Sequence, residues 1–177
     1  PEGIGDEPAP DGVVATSLMP DIHVIPGIWS VSIGYEAMVR WFRDTFDVVE
    51  HDAAHPDRIS NFVQFPYDWR LSNRASAVAV QARVEPLLER FRTQPGRADA
   101  KVVFIGHSMG GLVARYYVDV LGGHEITDKV ITLGTPHRGA LNALESLING
   151  VSKGFGPFKL DLTKLSRSLP SLYQLLP

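Results

Sequence analysis

A serine flanked by glycines is the residue in this sequence best suited to chemistry. It is the centre of Gly106-His107-Ser108-Met109-Gly110, which follows the apolar run 101–105 and precedes the helix-forming stretch 111–118. This context is typical of a sharp strand-to-helix turn that carries a nucleophile at its corner. Glycines beside the serine permit the close backbone approach that such a turn needs. The pattern therefore predicts that the Ser108 hydroxyl attacks a carbonyl carbon, whereas a chance serine in a glycine turn would not explain both flanking elements.

A serine nucleophile also needs N–H donors for the oxyanion that develops on the substrate. The backbone N–H of Met109 is one predicted donor, because it follows the nucleophile directly. The second is expected in the loop after the first strand, Pro26-Gly27-Ile28-Trp29, and the N–H of Ile28 is the candidate. The alternative for Pro26-Gly27 is an ordinary turn that ends a strand. Beside Ser108 we favour the oxyanion role.

The general base is harder to assign from the sequence. Only His124 and His137 follow Ser108. The helix after the serine leads away from it, so His124 is expected in an exposed loop at the far end. The next strand returns His137 to the edge where the serine lies. However, where a serine lies on such a strand-to-helix turn, the catalytic acid and then the histidine usually follow on later strands. This order favours a loop role for His137 and leaves its role as the base as an alternative.

Alternating apolar strands and amphipathic helices predict how these residues are positioned. Such an alternation is typical of a parallel sheet with right-handed crossovers. Asn73 is expected to cap the second helix, and Pro86 predicts a kink or break within it. The predicted strands are 22–25, 48–49, 62–65, 101–105 and 129–133, and the predicted helices are 35–46, 75–91, 112–121 and 141–148, with no further strand expected after Leu133.

Composition excludes several classes of function. The 177 residues suffice for one domain with a core, and 44% are hydrophobic and 21% charged. A net charge of -3 provides no broad basic surface for nucleic acid. Without cysteine there is neither a disulfide nor a thiolate metal site. No metal and no cofactor are predicted, since His51 and His55 fall in a proline-interrupted loop, and the compartment is not assigned.

Four segments together resemble bacterial members of the lecithin:cholesterol acyltransferase family, which have the α/β-hydrolase fold. The resemblance runs from about His23 to Pro177, and its most specific parts are Tyr67-Asp68-Trp69-Arg70 and the C-terminal Leu-Pro-Ser-Leu-Tyr-Gln-Leu-Leu-Pro. It implies a serine–aspartate–histidine triad that cleaves or transfers acyl chains of lipid esters, with Ser108 as nucleophile. It also implies Ile28 and Met109 as oxyanion donors. The segments are 65–70, 106–111, 133–139 and 168–177.

The resemblance also implies an architecture. We expect one α/β-hydrolase domain with a mostly parallel sheet and helices on both faces, divided into an N-terminal arm (1–20), a sheet core (21–139) and the beginning of a cap (140–177). Because no residue of the chain matches the family's aspartate and histidine, we expect both to follow Pro177, so that 1–177 is the N-terminal portion of the hydrolase. Within the Tyr-Asp-Trp-Arg segment, Asp68 is expected either to pair with Arg70 or to cap the helix that begins near Asn73, and Trp69 is expected to pack.

The expected partner is a lipid or other ester substrate, with transient contact with a lipid surface and no nucleic acid. Two other functions are compatible with the same residues. One is a catalytically inactive lipid-binding or interaction domain, since the acid and base have no match in the chain. The other is an esterase or thioesterase for small esters, which uses the same serine chemistry with a different acyl pocket.

Overall fold

The computed structural model describes residues 6–7, 11–20, 22–25, 29–31, 34–153 and 160–177. The chain divides into two compact units. One contains described residues from 1–13, 68–85 and 100–177, and the other contains those from 14–67 and 86–99. The first unit holds Ser108.

The described residues alternate short strands with helices, as the pattern of the sequence predicts. In chain order the elements are β1 Ile22–Ile25, β2 Trp29–Val31, α1 Glu36–Thr45, α2 Asn73–Arg92, β3 Val102–His107, α3 Met109–Val120, a 3-10 turn Gly123–Glu125, β4 Thr127–Leu133, α4 Leu141–Asn149, β5 Ser152–Lys153, β6 Leu160–Asp161, α5 Thr163–Arg167 and α6 Pro170–Tyr173.

A parallel pair of strands with a helix across it forms the centre of the first unit. β3 pairs with β4 in parallel, with Gly106 opposite Thr132 and His107 opposite Leu133. Two parallel neighbours need a crossover between them, and α3 with the 3-10 turn supplies it. α3 packs on the pair through Val113 and Tyr117, which are 2% and 0% exposed. The predicted strand–helix–strand unit around the serine is therefore confirmed.

Tyr117 joins this unit to the first part of α2. Its ring makes an edge contact with Phe104 on β3, with centroids 5.5 Å apart. Its hydroxyl donates a hydrogen bond to Glu85 Oε1 at 3.1 Å, and Gln81 Nε2 donates to the same oxygen at 3.0 Å. Burial raises the pKa of Tyr117 to about 12. The phenol thus stays protonated and acts as a fixed donor inside the unit.

α2 differs from the prediction at its start and at its proline. The hydroxyl of Ser72 accepts a hydrogen bond from the N–H of Ala75 at 3.0 Å, so Ser72 and not Asn73 caps the helix. Asn73 is the first helical residue, and its N–H donates to Gln174 Oε1 at 2.6 Å. The helix also continues through Pro86 without a break. One missing N–H costs a single hydrogen bond, and the remaining bonds keep the 20-residue helix continuous, so of the predicted kink or break the break is wrong.

The second unit forms around α1 and an aromatic cluster. Val39 is buried, and the ring centroid of Phe42 lies 5.7 Å from that of Phe46 and 5.7 Å from that of Phe62. The predicted strands 48–49 and 62–65 are wrong, because this region has only an isolated parallel bridge between Glu50 and Phe62.

An asparagine side chain occupies a backbone group of the first of those two regions, 48–49. The N–H of Val49 donates to Asn61 Oδ1 at 2.6 Å, and Asn61 Nδ2 donates to the carbonyl of Asp47 at 2.9 Å. Such bonds from a side chain to the backbone use groups that a strand ladder would otherwise pair.

The sheet expected from the sequence is present only in part. β1 and β2 form an antiparallel pair, and so do β5 and β6. The two latter strands, Ser152–Lys153 and Leu160–Asp161, also correct the expectation that no strand follows Leu133. Among the described strands only β3 and β4 are parallel. The chain therefore has a partial α/β arrangement, and the complete hydrolase sheet with helices on both faces stays a prediction.

Candidate active site

Ser108 lies at a sharp corner between β3 and α3. β3 ends at His107 and α3 begins at Met109, so a single residue turns the chain from strand to helix. Its backbone angles are φ 51° and ψ -125°, and it is the one non-glycine residue with positive φ in the described part of the chain. Such a conformation costs about 1–3 kcal/mol for a residue with a Cβ and occurs preferentially at functional sites. The predicted sharp strand-to-helix turn at Ser108 is therefore present, with a strained backbone at its corner.

Backbone hydrogen bonds hold this strained corner in place. The N–H of Ser108 donates to the carbonyl of Leu133 at 2.8 Å, which extends the β3–β4 pairing to the corner itself. The carbonyl of Ser108 accepts from the N–H of Gly111 at 3.1 Å and so closes the first turn of the helix. Both backbone groups of the serine are therefore engaged in hydrogen bonds that hold the corner.

Close packing behind the corner demands glycine at two positions. A Cβ added to Gly106 would lie 2.6 Å from the Cα and N of Gly111, which is closer than real Cβ contacts. A Cβ added to Gly111 would in turn overlap the side chain of Thr135. β3, α3 and the loop after β4 thus meet without room for a methyl group. Thr135 is a residue that the sequence analysis missed, although the glycine after the motif indicated that something packs closely there.

The Ser108 residue is exposed. Met109, directly after it, is half-buried and occupies the first position of α3. The first N–H groups of a helix have no acceptor within the helix and carry its positive dipole end. The predicted role of the Met109 N–H as an oxyanion donor is compatible with that position. The other predicted donor, Ile28, lies outside the described residues, so its role stays a prediction.

No histidine of the described residues hydrogen-bonds the Ser108 hydroxyl. His137 is exposed. Its backbone N–H donates to the carbonyl of Thr135 at 2.9 Å, and its ring Nε2 lies 3.4 Å from Thr132 Oγ1. His124 is exposed in the 3-10 turn beyond the far end of α3, as predicted. The 12 residues of that helix span about 18 Å, which keeps His124 away from the serine.

A shallow cavity opens on the β4 side of α3. Its volume is about 340 Å³. His137 and Thr132 contribute to its lining, and so do Arg115 and Asp119, which form an ion pair at 2.9 Å. Ser108 is not among its lining residues. The cavity is therefore not the place where an ester would meet the hydroxyl.

Asp68 and Arg70 form a strong ion pair in the first unit, as predicted. Arg70 Nε donates to both Asp68 oxygens, at 2.8 and 3.1 Å, and Nη2 donates to Oδ2 at 2.7 Å. Arg70 Nη1 also donates to Asp11 Oδ2 at 2.6 Å. These bonds hold the pKa of Asp68 below its usual range, chiefly through the guanidinium. The aspartate is thus occupied by a structural partner.

Trp69, between these two residues, does not pack as predicted. Its side chain is 56% exposed. The carbonyl of Asp68 accepts from the N–H of Leu71 at 3.1 Å, so the segment forms a tight turn. The ion pair holds Asp68 and Arg70 inward, and Trp69 is left at the outer corner of that turn.

Neither a metal site nor a membrane span is found in the described part of the chain. No three His, Asp or Glu side chains there are grouped to hold a metal ion. His55 instead pairs with Asp52, with 2.6 Å between Nδ1 and Oδ2, and this bond lowers the pKa of Asp52. None of the described helices has the length and apolar character that crossing a bilayer requires.

Comparison with models of protein families gives a match over most of the chain. The model of the lecithin:cholesterol acyltransferase family matches residues 31–177, which include both Ser108 and the Tyr-Asp-Trp-Arg segment. No solved structure matches the chain.

Proposed function

Because the chain belongs to the lecithin:cholesterol acyltransferase family, we propose that it is a serine-dependent lipid-ester hydrolase or O-acyltransferase that acts through an acyl-enzyme on Ser108. The observation that carries this proposal is the backbone of Ser108, with φ 51° and ψ -125° at the corner between a strand and a helix. A structural turn would place glycine there at no cost, whereas a residue with a reactive hydroxyl has a reason to bear the strain.

The reaction follows from the position of the serine. Its Oγ attacks the ester carbonyl while its proton passes to a general base. The negative charge of the tetrahedral intermediate develops beside the first N–H groups of α3, so the N–H of Met109 is a donor for it, and the N–H of Ile28 is the second proposed donor. When the intermediate collapses, the alcohol leaves and the acyl group stays on Ser108. Water or an acceptor alcohol then resolves the acyl-enzyme.

We propose that the acid and the base are residues after Pro177. In support, His137 bonds Thr132 and not Ser108, and Asp68 is engaged by Arg70. The balance between hydrolysis and transfer depends on how well the site excludes water from the acyl-enzyme before an acceptor alcohol reacts with it.

Labelling with a fluorophosphonate probe tests the proposal directly. The full-length protein is expected to react at Ser108 and to lose the label in Ser108→Ala, while the isolated chain 1–177 is expected to label weakly or not at all for want of a base. Peptide mapping of the labelled residue provides the control. Strong labelling that persists in Ser108→Ala would refute the role of Ser108.

A second candidate is a catalytically inactive lipid-binding domain. The observation that favours it is that no described histidine reaches the Ser108 hydroxyl. A full-length protein that binds phospholipid without reacting with the probe would support this candidate. Should the protein react, a series of nitrophenyl esters of increasing chain length separates a lipase from an esterase or thioesterase for small esters.

A further inference from the structure

The C-terminal segment 168–177 carries a motif that the proposed reaction does not use. Its short helix α6 is held in the first unit by the buried residues Leu169 and Ser171, which are 3% and 2% exposed. The hydroxyl of Tyr173, at the end of α6, donates to the carbonyl of Arg167 at 2.8 Å. The residues that follow α6 therefore start from a helix that is fixed in place.

Two adjacent residues after α6 bind two different elements. Gln174 Oε1 accepts a hydrogen bond at 2.6 Å from the N–H of Asn73, the first residue of α2. The carbonyl of Leu175 accepts at 2.7 Å from the N–H of Ala140. Ala140 is the last residue of the connection between β4 and α4, and we call residues 134–140 the β4–α4 loop. The C-terminal segment therefore connects the start of α2 to this loop.

The β4–α4 loop also reaches the serine corner. At one end of the loop, Gly139 has a φ of 84°, and an added Cβ would overlap the backbone of Pro177, so glycine permits a close approach of the two chains. At the other end, Thr135 packs against Gly111 behind the corner at Ser108. The loop is thus held by the C-terminal segment at one end and contacts the base of the corner at the other.

The hydrogen bond to Gln174 does more than begin a helix. α2 already has a local cap, because Ser72 Oγ accepts from the N–H of Ala75. Gln174 is 101 residues away from Asn73 in sequence. Asn73 is only 7% exposed, so its N–H would lose its acceptor inside the protein if the glutamine were removed. A bond of this kind fastens a distant segment to the helix.

We propose that Gln174 is a positioning residue for the reaction at Ser108. Its bond to the start of α2 sets the position of Leu175, which sets that of the β4–α4 loop and, through Thr135, that of the corner. Gln174 itself contacts neither the serine nor the substrate in this reaction. The proposal rests on the proposed function, because it assigns a part in the same chemistry to a segment outside the site.

The rate at which a fluorophosphonate probe labels the full-length protein tests this role. Gln174→Met keeps the length of the side chain and removes the acceptor, so it is expected to lower the rate at saturating probe about tenfold and to leave the half-saturating concentration unchanged. Gln174→Glu keeps an acceptor oxygen at a helix N-terminus and is expected to label within about twofold of the parent. The matched control is Ser72→Ala, which removes the local cap of the same helix and is expected to lower the melting temperature without changing the labelling rate.

Hydrogen exchange provides a readout that does not depend on activity. Gln174→Met is expected to accelerate exchange both at the start of α2 and in the β4–α4 loop, whereas Ser72→Ala is expected to accelerate it only at the start of α2. Gln174→Asn, whose shorter side chain withdraws the acceptor, replaces Gln174→Met if circular dichroism shows the latter to be unfolded.

Three results would overturn the role of Gln174. These are a Gln174→Met variant that labels like the parent, a Gln174→Glu variant that labels as slowly as Gln174→Met, and exchange in the loop that does not respond to Gln174→Met. The two proposals fail separately. Loop exchange that depends on Gln174, in a protein that never labels, supports the connection between α2 and the loop and refutes catalysis at Ser108.

Discussion

Replacing Ser108 by glycine should stabilise the protein while it removes the proposed nucleophile. A side chain at φ 51° and ψ -125° costs about 1–3 kcal/mol, which glycine avoids. Glycine gives back about 0.4–1 kcal/mol because it makes the unfolded chain more flexible. Relative to Ser108→Ala, which keeps the strained Cβ, Ser108→Gly should therefore raise the free energy of unfolding by about 0.5–2 kcal/mol.

Urea unfolding followed by circular dichroism measures this difference, provided the two variants have the same m-value. For a protein of this size, each kcal/mol should also shift the melting temperature by about 2–4 °C. The two variants are matched, because each lacks the hydroxyl and neither can form an acyl-enzyme. If Ser108→Gly is no more stable than Ser108→Ala, the corner is not strained, and the structural case for a nucleophile elbow fails.

Two further predictions concern the contacts around the site. Gly111→Ala should lower the free energy of unfolding by about 1–3 kcal/mol, because the added methyl group overlaps the side chain of Thr135. In a double-mutant cycle measured by urea unfolding, adding Thr135→Gly should recover more than half of that loss. Purely additive effects would contradict the contact. Because Arg70 lowers the folded-state pKa of Asp68, the pair stabilises the folded state above the ordinary Asp pKa of 3.8, and this contribution is lost as pH falls through the lowered pKa. The stability difference between the parent and Asp68→Asn, measured by thermal unfolding from neutral to acid pH, should therefore shrink at low pH, and a constant difference would count against the pair.

Some elements of the structure were predicted correctly from the sequence and others were not. The region around Ser108 was predicted well, because β3, the corner and α3 depend on contiguous residues and on glycines whose backbone freedom is local. The family was also recognised from short segments, and its model matches residues 31–177. In contrast, the predicted strands at 48–49 and 62–65 are absent, and in the first of these regions the side chain of Asn61 accepts from the N–H of Val49, which a strand ladder would have paired.

By itself the sequence determined where the chain turns, which residue bears the hydroxyl at that turn and which family the protein belongs to. The tertiary structure decided what surrounds the turn: Thr135 against Gly111, Ser72 in place of Asn73 as the helix cap, Trp69 at the outside of a turn, and Gln174 at the start of α2. Backbone conformation at a corner is set by neighbours in the chain, so a motif can encode it. Packing and exposure depend on residues distant in sequence, and only their arrangement in space determines them.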